Sequence, residues 1–379
     1  MMNILITGGS GFIGSNLALA LLQKGYQVTV MDTLSVQIHG KDPVVTSPLY
    51  QSISGKVNFI KGDVNKRTDW INALKDQQVI VHFAAETGTG QSMYEIERYT
   101  NTNIGGTAIL LDLLTNQPHS VKKVVIASSR SIYGEGKYRS PEMGIVYPGH
   151  RNADTMNKGD FEVKYPGCTQ PLELMPTDET SAIHPSSVYG ITKQNQEQMV
   201  MLVCQSIGIA AVAFRYQNVY GPGQSLTNPY TGILSIFSSL IKNHRPINIF
   251  EDGKESRDFV FIDDVVQATM LGIEKEEANG EIFNVGTGVA IDVLTVAGTL
   301  IKKYGIEVPV TVTGNYRLGD IRHNYADLTK IKSRLGFNPT VDFESGISRF
   351  ADWVDGQEVT ELGNYARSLD EMKSRGLFK

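Results

Sequence analysis

Asn3-Ile4-Leu5-Ile6-Thr7-Gly8-Gly9-Ser10-Gly11-Phe12-Ile13-Gly14 decides the fold. An apolar run enters a loop with glycines at 8, 11 and 14, and a helical pattern, Ile13–Lys24, leaves it. Glycines at this spacing let the backbone approach a pyrophosphate, which then rests on the helix N-terminus. The loop alone could be a plain turn. The next strand-like run, Gln27–Asp32, adds the context by ending in an acid at the expected interval of about 20 residues. A carboxylate at Asp32 accepts hydrogen bonds from ribose hydroxyls and repels a 2′-phosphate, which favours NAD over NADP. Phe12 and Ile13 belong to the same loop. Asp63, closing a third run at Val57–Gly62 and followed by Val64, either meets the adenine or caps a turn.

Outward from this loop, short apolar runs alternate with longer helical patterns. Further strand-like runs are Val79–Phe83, Val121–Ala127 and Ala210–Arg215. Helix-like stretches are Lys66–Lys75, Thr102–Leu114 and Val188–Ser206. Such alternation predicts an α/β fold, a doubly wound parallel sheet with helices on both faces. The first unit spans 1–222, and 258–285 is expected to return to it. Gly134 to Pro176 lacks periodicity and predicts an insertion over or beside the active site. After Gly221 the pattern loosens into a smaller α+β lobe over 223–358, with helices at Gly232–Asn243, Ile262–Lys275, Val293–Tyr304 and Asp327–Leu335. A charged helical tail, 359–379, carries no functional signal of its own.

The 379 residues are too many for one small core and suggest two lobes. A net charge of −5 offers no basic field for nucleic acid. No apolar run approaches the roughly 18 residues of a membrane span. Cys168 and Cys204 fit neither a disulfide framework nor a zinc site, and no metal is expected. Unpaired thiols suggest a reducing cytoplasm.

Ser129, Tyr189 and Lys193 carry the chemistry. Ser129 ends the run Val-Val-Ile-Ala-Ser-Ser, and the other two lie in Tyr189-Gly190-Ile191-Thr192-Lys193. That spacing puts the phenol and the ammonium on one helix face. A lysine near a phenol favours the phenolate, a usable base toward a sugar hydroxyl.

The chain resembles the extended short-chain dehydrogenases/reductases of the nucleotide-sugar epimerase/dehydratase group. The carrying motifs are the glycine loop, His82-Phe83-Ala84-Ala85, Asn103-Ile-Gly-Gly-Thr107, Ser128-Ser129-Arg130-Ser131-Ile-Tyr133-Gly134 and Tyr189-x-x-x-Lys193. Arg215-Tyr-Gln-Asn218-Val-Tyr-Gly-Pro222 and Arg257-Asp258-Phe-Val complete them. The resemblance implies a Rossmann-type sheet with a substrate-binding lobe. It makes Tyr189 the acid/base, Lys193 the ribose ligand and tuner of Tyr189, and Ser129 the partner of the reacting oxygen. It gives Phe83, Ala84, Ala85, Asn103 and Tyr216 to the cofactor, and Asn218 and Arg257 to the substrate diphosphate. It also implies a homodimer, with helices 102–114 and 188–206 pairing across the axis as a four-helix bundle.

Related dehydratases carry acids just after the catalytic hydroxyl, and decarboxylating relatives carry a glutamate where Ser131 stands. Here Arg130 and Ser131 supply no carboxylate. Relatives that invert carbons beside a keto group use a cysteine and a histidine, a pattern that leaves only Cys168 open. 4-Epimerisation or 4-oxidoreduction remains. Stretches 129–138, 184–194, Gly223–Gly232 and Gly319-Asp-Ile-Arg322-His323 resemble dTDP-L-rhamnose 4-epimerases, which act on dTDP-linked 6-deoxyhexoses. This resemblance places Asn228 near the nucleotide and Arg322 near its phosphates or ribose. Glu86 and Thr87 would stand where the strand end meets the hexose. A UDP-hexose 4-epimerase, a 4-ketoreductase or dehydrogenase that releases its cofactor, and a non-catalytic NAD-binding scaffold stay open as alternatives.

Overall fold

The computed structural model describes residues 2–226, 228, 230, 232–357 and 363–379. Thr227, Pro229 and Thr231 of the 223–232 stretch, and the expected boundary at 358–359, lie outside the described residues.

Seven parallel strands form the main sheet. Its first five in chain order are β1 (Asn3–Thr7), β2 (Gln27–Asp32), β3 (Asn58–Lys61), β4 (Val79–His82) and β5 (Lys123–Ser129). Across the sheet the order is Glu281–Val285, Ala210–Tyr216, β5, β4, β1, β2, β3. The reversal between β1 and β4 opens a crevice at the strand C-termini, where ligands of such sheets bind. Strand periodicity divides the core. Ile4 and Ile6 of β1 join one apolar cluster with Val30, Val81, Val125 and Phe214, whereas Leu5 joins Ile80, Val124 and Ile126 on the other face. Helix α1 (Phe12–Gln23) covers the first face with helix Ile262–Glu274. Helices Arg67–Ala73, Gly106–Asn116 and Val188–Ser206 cover the second. The strand Glu281–Val285, from the expected returning segment, pairs with Ala210–Tyr216 at the sheet edge.

The smaller lobe is built on strands Asn218–Tyr220, Ser256–Phe261 and Ala290–Asp292, with His323–Asn324 paired to the second of them. Helices Ile233–Lys242, Val293–Tyr304 and Phe343–Asp355 pack around it. The last of these was not anticipated, although Asp342 caps it by accepting from Ser345 N at 2.8 Å.

Three elements depart from expectation. The helix beginning near Thr102 opens as a π-helical turn, Thr100–Gly105, before its α-helical part. Such turns arise where a side chain is pulled inward. Here Asn103 turns in, donating to Glu86 O at 3.1 Å and Thr192 Oγ1 at 2.9 Å. The insertion 134–176 is not structureless: Tyr138–Ser140 pairs antiparallel with Gly144–Val146 and with Glu173–Leu174. The tail is integral. Its end pairs with the smaller lobe through Tyr316 N to Lys379 O (2.8 Å) and Leu318 N to Leu377 O (2.9 Å).

Candidate active site

The glycine loop is packed too tightly for side chains. A Cβ on Gly14 would stand 2.5 Å from Gly8 O, and one on Gly8, at φ +66°, would stand 2.8 Å from Ala84 N. Helix α1 starts with no side-chain cap at Gly11, so its first N–H groups are directed at whatever occupies the loop. Asp32 accepts from Ser10 N (3.0 Å) and Leu34 N (2.9 Å), which fixes the carboxylate at the end of β2. Together these surround a cleft of about 550 Å³. Gly8, Gly11, Phe12, Ile13, Gly14, Asp32, Asp63, Val64, Phe83, Ala84, Ala85 and Tyr216 all line it. Asp63 is also held as a turn, accepting from Asn65 N at 2.9 Å. An uncapped helix, a loop with no room for a Cβ and an acid at the β2 end form a cradle that fits a dinucleotide of the NAD kind.

A second cavity, about 210 Å³, opens beside the cleft. Ser129, Tyr189, Gln217, Val219, Gln224 and Gly232 line both. Arg130, Ser131 and Asn218 line the smaller one but not the larger, as do the apolar residues Ile233, Leu234 and Phe259. The catalytic candidates therefore stand at the junction. Ser187 caps the helix that carries Tyr189 and Lys193, accepting from Gly190 N at 3.1 Å. The Ser129 Oγ accepts from Ser131 N (3.1 Å) and Ser131 Oγ (2.9 Å), which leaves its own proton to donate.

Burial dominates the charge balance of this site. Burial pushes the Tyr189 phenol above its ordinary value, while the Ser129 hydroxyl and then the Arg130 guanidinium pull it down. Lys193 shares the helix face of Tyr189, as its spacing predicts. Its Nζ donates to Ala127 O at 3.0 Å and lies 6.0 Å from the Tyr189 ring centroid. Burial without a carboxylate partner lowers its pKa to about 7. Beneath the site, His82 is neutral, its pKa lowered to about 3 by burial and then by Lys193. Its ring spans Thr7 Oγ1 (2.7 Å) and Thr107 Oγ1 (3.0 Å), tying β1 and β4 to the adjoining helix.

Several expected ligands are placed elsewhere. Asn103 does not line the cleft. Its buried amide supports the loop after β4, accepting from Glu86 N at 2.8 Å. Glu86 and Thr87 line the larger cleft, not the sugar-sized cavity, and Glu86 accepts from Arg98 Nη2 at 2.7 Å. Asn228 also lines the cleft, with its Oδ1 3.4 Å from Gln37 Nε2. Arg257 and Arg322 line neither cavity. Arg257 donates to Asp320, Ile321 O, Arg322 O and Ser256 O. Arg322 is wholly buried and donates to Glu251, Asp252 and Glu162. Their charges are paired with carboxylates of the smaller lobe and of the insertion. The insertion meets the same network: Arg151 donates to Glu135 Oε1 (3.2 Å) and Glu251 Oε1 (2.7 Å). It lies beside the smaller lobe and lines neither cavity.

Gln217 was missed. It stands at the junction with both amide atoms buried and unpartnered among the described residues. In the sequence it is only one polar residue between Tyr216 and Asn218.

A model of the NAD dependent epimerase/dehydratase family matches residues 4–151 and 164–286. The chain belongs to this family. Membership makes it an enzyme and makes NAD its cofactor. Among family members, a dTDP-L-rhamnose 4-epimerase of Burkholderia thailandensis is 37% identical over 355 residues, covering 93% of this chain and 94% of that protein. The UDP-glucose 4-epimerase of Thermotoga maritima, solved with UDP-glucose, superposes with a TM-score of 0.75 at 29% identity, covering 94% of this chain and 99% of its own. The UDP-glucuronic acid 4-epimerase of Bacillus cereus, solved with UDP-glucuronic acid and NAD, gives 0.74 at 26% identity, with the same coverage.

Proposed function

We propose that this protein is an NAD-dependent nucleotide-sugar 4-epimerase that interconverts dTDP-L-rhamnose and dTDP-6-deoxy-L-talose. The observation that carries the reading is the junction: Ser129 and Tyr189 line both the cofactor-sized cleft and the smaller cavity. NAD, when bound, accepts hydride from a carbinol carbon and gives it back. Tyr189 takes the proton from the C4 hydroxyl oxygen and returns it to the opposite epimer. Ser129 donates to that oxygen. Lys193, buried near the end of β5, stands ready for the nicotinamide ribose. Inversion requires the 4-keto sugar to present its other face. A cavity lined by both polar residues (Arg130, Ser131, Asn218) and apolar ones (Ile233, Leu234, Phe259) suits a sugar whose C6 is a methyl group. The relative in Burkholderia thailandensis supports the dTDP-linked 6-deoxyhexose.

The same reading includes a cytoplasmic homodimer formed through helices 106–116 and 188–206 as a four-helix bundle. Ile191 and Leu202 of the second helix are exposed, which supports burial against a partner copy. Both cysteines are free, and no described helix is long and apolar enough to cross a membrane.

The test is to incubate the purified protein with dTDP-L-rhamnose, without added cofactor, and follow the sugar by NMR. A new C4 epimer without net NADH is expected. Stoichiometric NADH with a 4-keto product would replace the reading with a dehydrogenase. Turnover of UDP-hexoses but not of dTDP-L-rhamnose would move the substrate to the UDP class.

A further inference from the structure

Gln217 is buried at the junction of the two cavities with its amide unsatisfied. Its backbone N–H donates to Val285 O at 2.9 Å, which fixes it between Tyr216 and Asn218. Tyr216 lines the larger cleft, Asn218 the smaller cavity, and Gln217 both. The residue is 4% exposed, yet neither its Nε2 nor its Oε1 has a hydrogen-bond partner among the described residues. Gln224, which also lines both cavities, has its Oε1 buried and unpartnered as well.

We propose that Gln217 is a sugar-binding residue, its amide bonding a hydroxyl beside the reacting carbon of the substrate hexose. This rests on the nucleotide-sugar reading of the same site.

The polar groups around Gln217 are already engaged. Its side chain lies against Gly286, where a Cβ would stand 2.7 Å from Gln217 Cγ and would also strike Asp258. The Asp258 carboxylate accepts from Thr287 N, Thr287 Oγ1, Gly288 N and Ala326 N. Asn218 Oδ1 accepts from Arg130 Nε, and Ser131 Oγ donates to Ser129 Oγ. An unmade buried hydrogen bond destabilises a fold, and such local costs gather at functional sites.

Position gives the chemistry of the missing partner. Ser129 and Tyr189 line the same junction, so the carbon that gives up hydride lies there. The ring hydroxyls beside that carbon are the polar groups a residue at this junction meets. A hydroxyl both donates and accepts, which matches an amide whose donor and acceptor are both open. The same amide can donate to a hydroxyl from one face of the ring and accept from it after the ring has turned over.

The experiment compares two ligands that differ only in the sugar, dTDP-L-rhamnose and dTDP, on the NAD-loaded protein by calorimetry. Gln217→Met keeps the length of the side chain and removes the amide. It is expected to weaken dTDP-L-rhamnose about tenfold, the order of one hydrogen bond, and to leave dTDP binding unchanged. The Tm of the NAD-loaded, sugar-free protein should hold or rise, because an unpartnered amide has left the interior. Equal losses for both ligands overturn the proposal, as does a lowered Tm without a sugar-specific loss. Weakened NAD binding with sugar affinity intact also overturns it and gives the amide to the nicotinamide. If Gln217→Met does not fold, Gln217→Leu makes the same comparison. Wild-type protein that binds dTDP-L-rhamnose no better than dTDP sinks the rhamnose reading separately, and UDP-glucose against UDP then decides the role of Gln217. A wild type that gains no affinity from either sugar overturns both.

Discussion

The cofactor half of the molecule and its other half, the smaller lobe with the insertion, are organised by opposite means. The cofactor half is mostly backbone: a glycine loop, an uncapped helix start and one carboxylate, drawn from a continuous stretch between Thr7 and Asp32. The other half is held by side chains brought together from distant strands and loops, and its buried arginines are bonded to the protein itself. Backbone recognition is rigid and local. Side-chain organisation depends on a network that must fold correctly first. The halves meet at Tyr189, and that is where the largest effect is expected.

Tyr189→Phe should lower turnover by about 10²–10⁴-fold, the range lost with a general acid/base. The phenyl ring keeps the shape of the junction, so copurified NAD should be retained. Turnover within tenfold of wild type would show that the base is another group and that the two halves do not share their reacting centre here.

The next effect falls on the charge network between the insertion and the smaller lobe. Arg151 is buried between Glu135 and Glu251, both also buried. Arg151→Met leaves Glu135 with the Arg322 backbone N–H as its hydrogen-bond partner. Stranding a buried carboxylate costs about 3–5 kcal/mol. The loss should depend on pH. Burial, against the pull of Arg151, already raises Glu135 from 4.5 to about 7. A raised carboxyl pKa means the folded state holds a proton that the unfolded state releases, so stability falls as pH rises from about 4.5 to 7. Without Arg151 that window extends upward, so the deficit should be deepest above pH 7 and shrink toward pH 5. Urea unfolding at several pH values measures it. A deficit that does not vary with pH would mean that Glu135 is not the stranded group.

On the cofactor half, Gly14→Ala tests backbone recognition alone. The new Cβ would press on Gly8 O and Gly9 Cα at 2.5 and 2.6 Å. Overpacking of this kind costs about 1–3 kcal/mol. Here it should appear mainly as weakened NAD binding, because the displaced atoms form the pyrophosphate cradle. NAD content and affinity are the measurements. Unchanged affinity would mean that the loop relaxes without moving its N–H groups.

The same contrast explains what could be read from the sequence. The glycine loop, Asp32, Phe83–Ala85 and Tyr189-x-x-x-Lys193 are short-range patterns whose geometry follows from strand and helix periodicity, and each lines the cleft. Arg257 and Arg322 have the residue type of phosphate ligands, but their partners Asp320, Glu251 and Glu162 are set by tertiary packing. Asn103 carries the same lesson: its residue type suits a cofactor ligand, but a π-helical turn aims the amide at Glu86 O and Thr192. Sequence type identifies what a side chain can bind, and tertiary structure decides whether it is still free to bind it.

The smallest predicted effect concerns the tail that links the two halves. Glu371 Oε2 lies 3.2 Å from the hydroxyls of both Tyr94 and Tyr230, which are 2.5 Å from each other. Tyr94 belongs to the larger unit, Tyr230 lines the cofactor cleft, and the tail end is paired to Tyr316 and Leu318 of the smaller lobe. The tail is thereby hydrogen-bonded to a residue that lines the cleft. Its hydrogen bonds are partly exposed, so Glu371→Ala should cost less than about 1.5 kcal/mol of global stability. The cleft should feel it more directly, because the Tyr230 hydroxyl loses one of its two partners and keeps only Tyr94. Release of bound NAD is expected to quicken a few-fold, by roughly the factor that 1 kcal/mol represents, with kcat little changed. Displacement of bound NAD by a competing dinucleotide follows this directly. If release is unaltered while Tm falls, the tail supports the fold without gating the cofactor, and the two halves are joined at Tyr189 rather than at the rim.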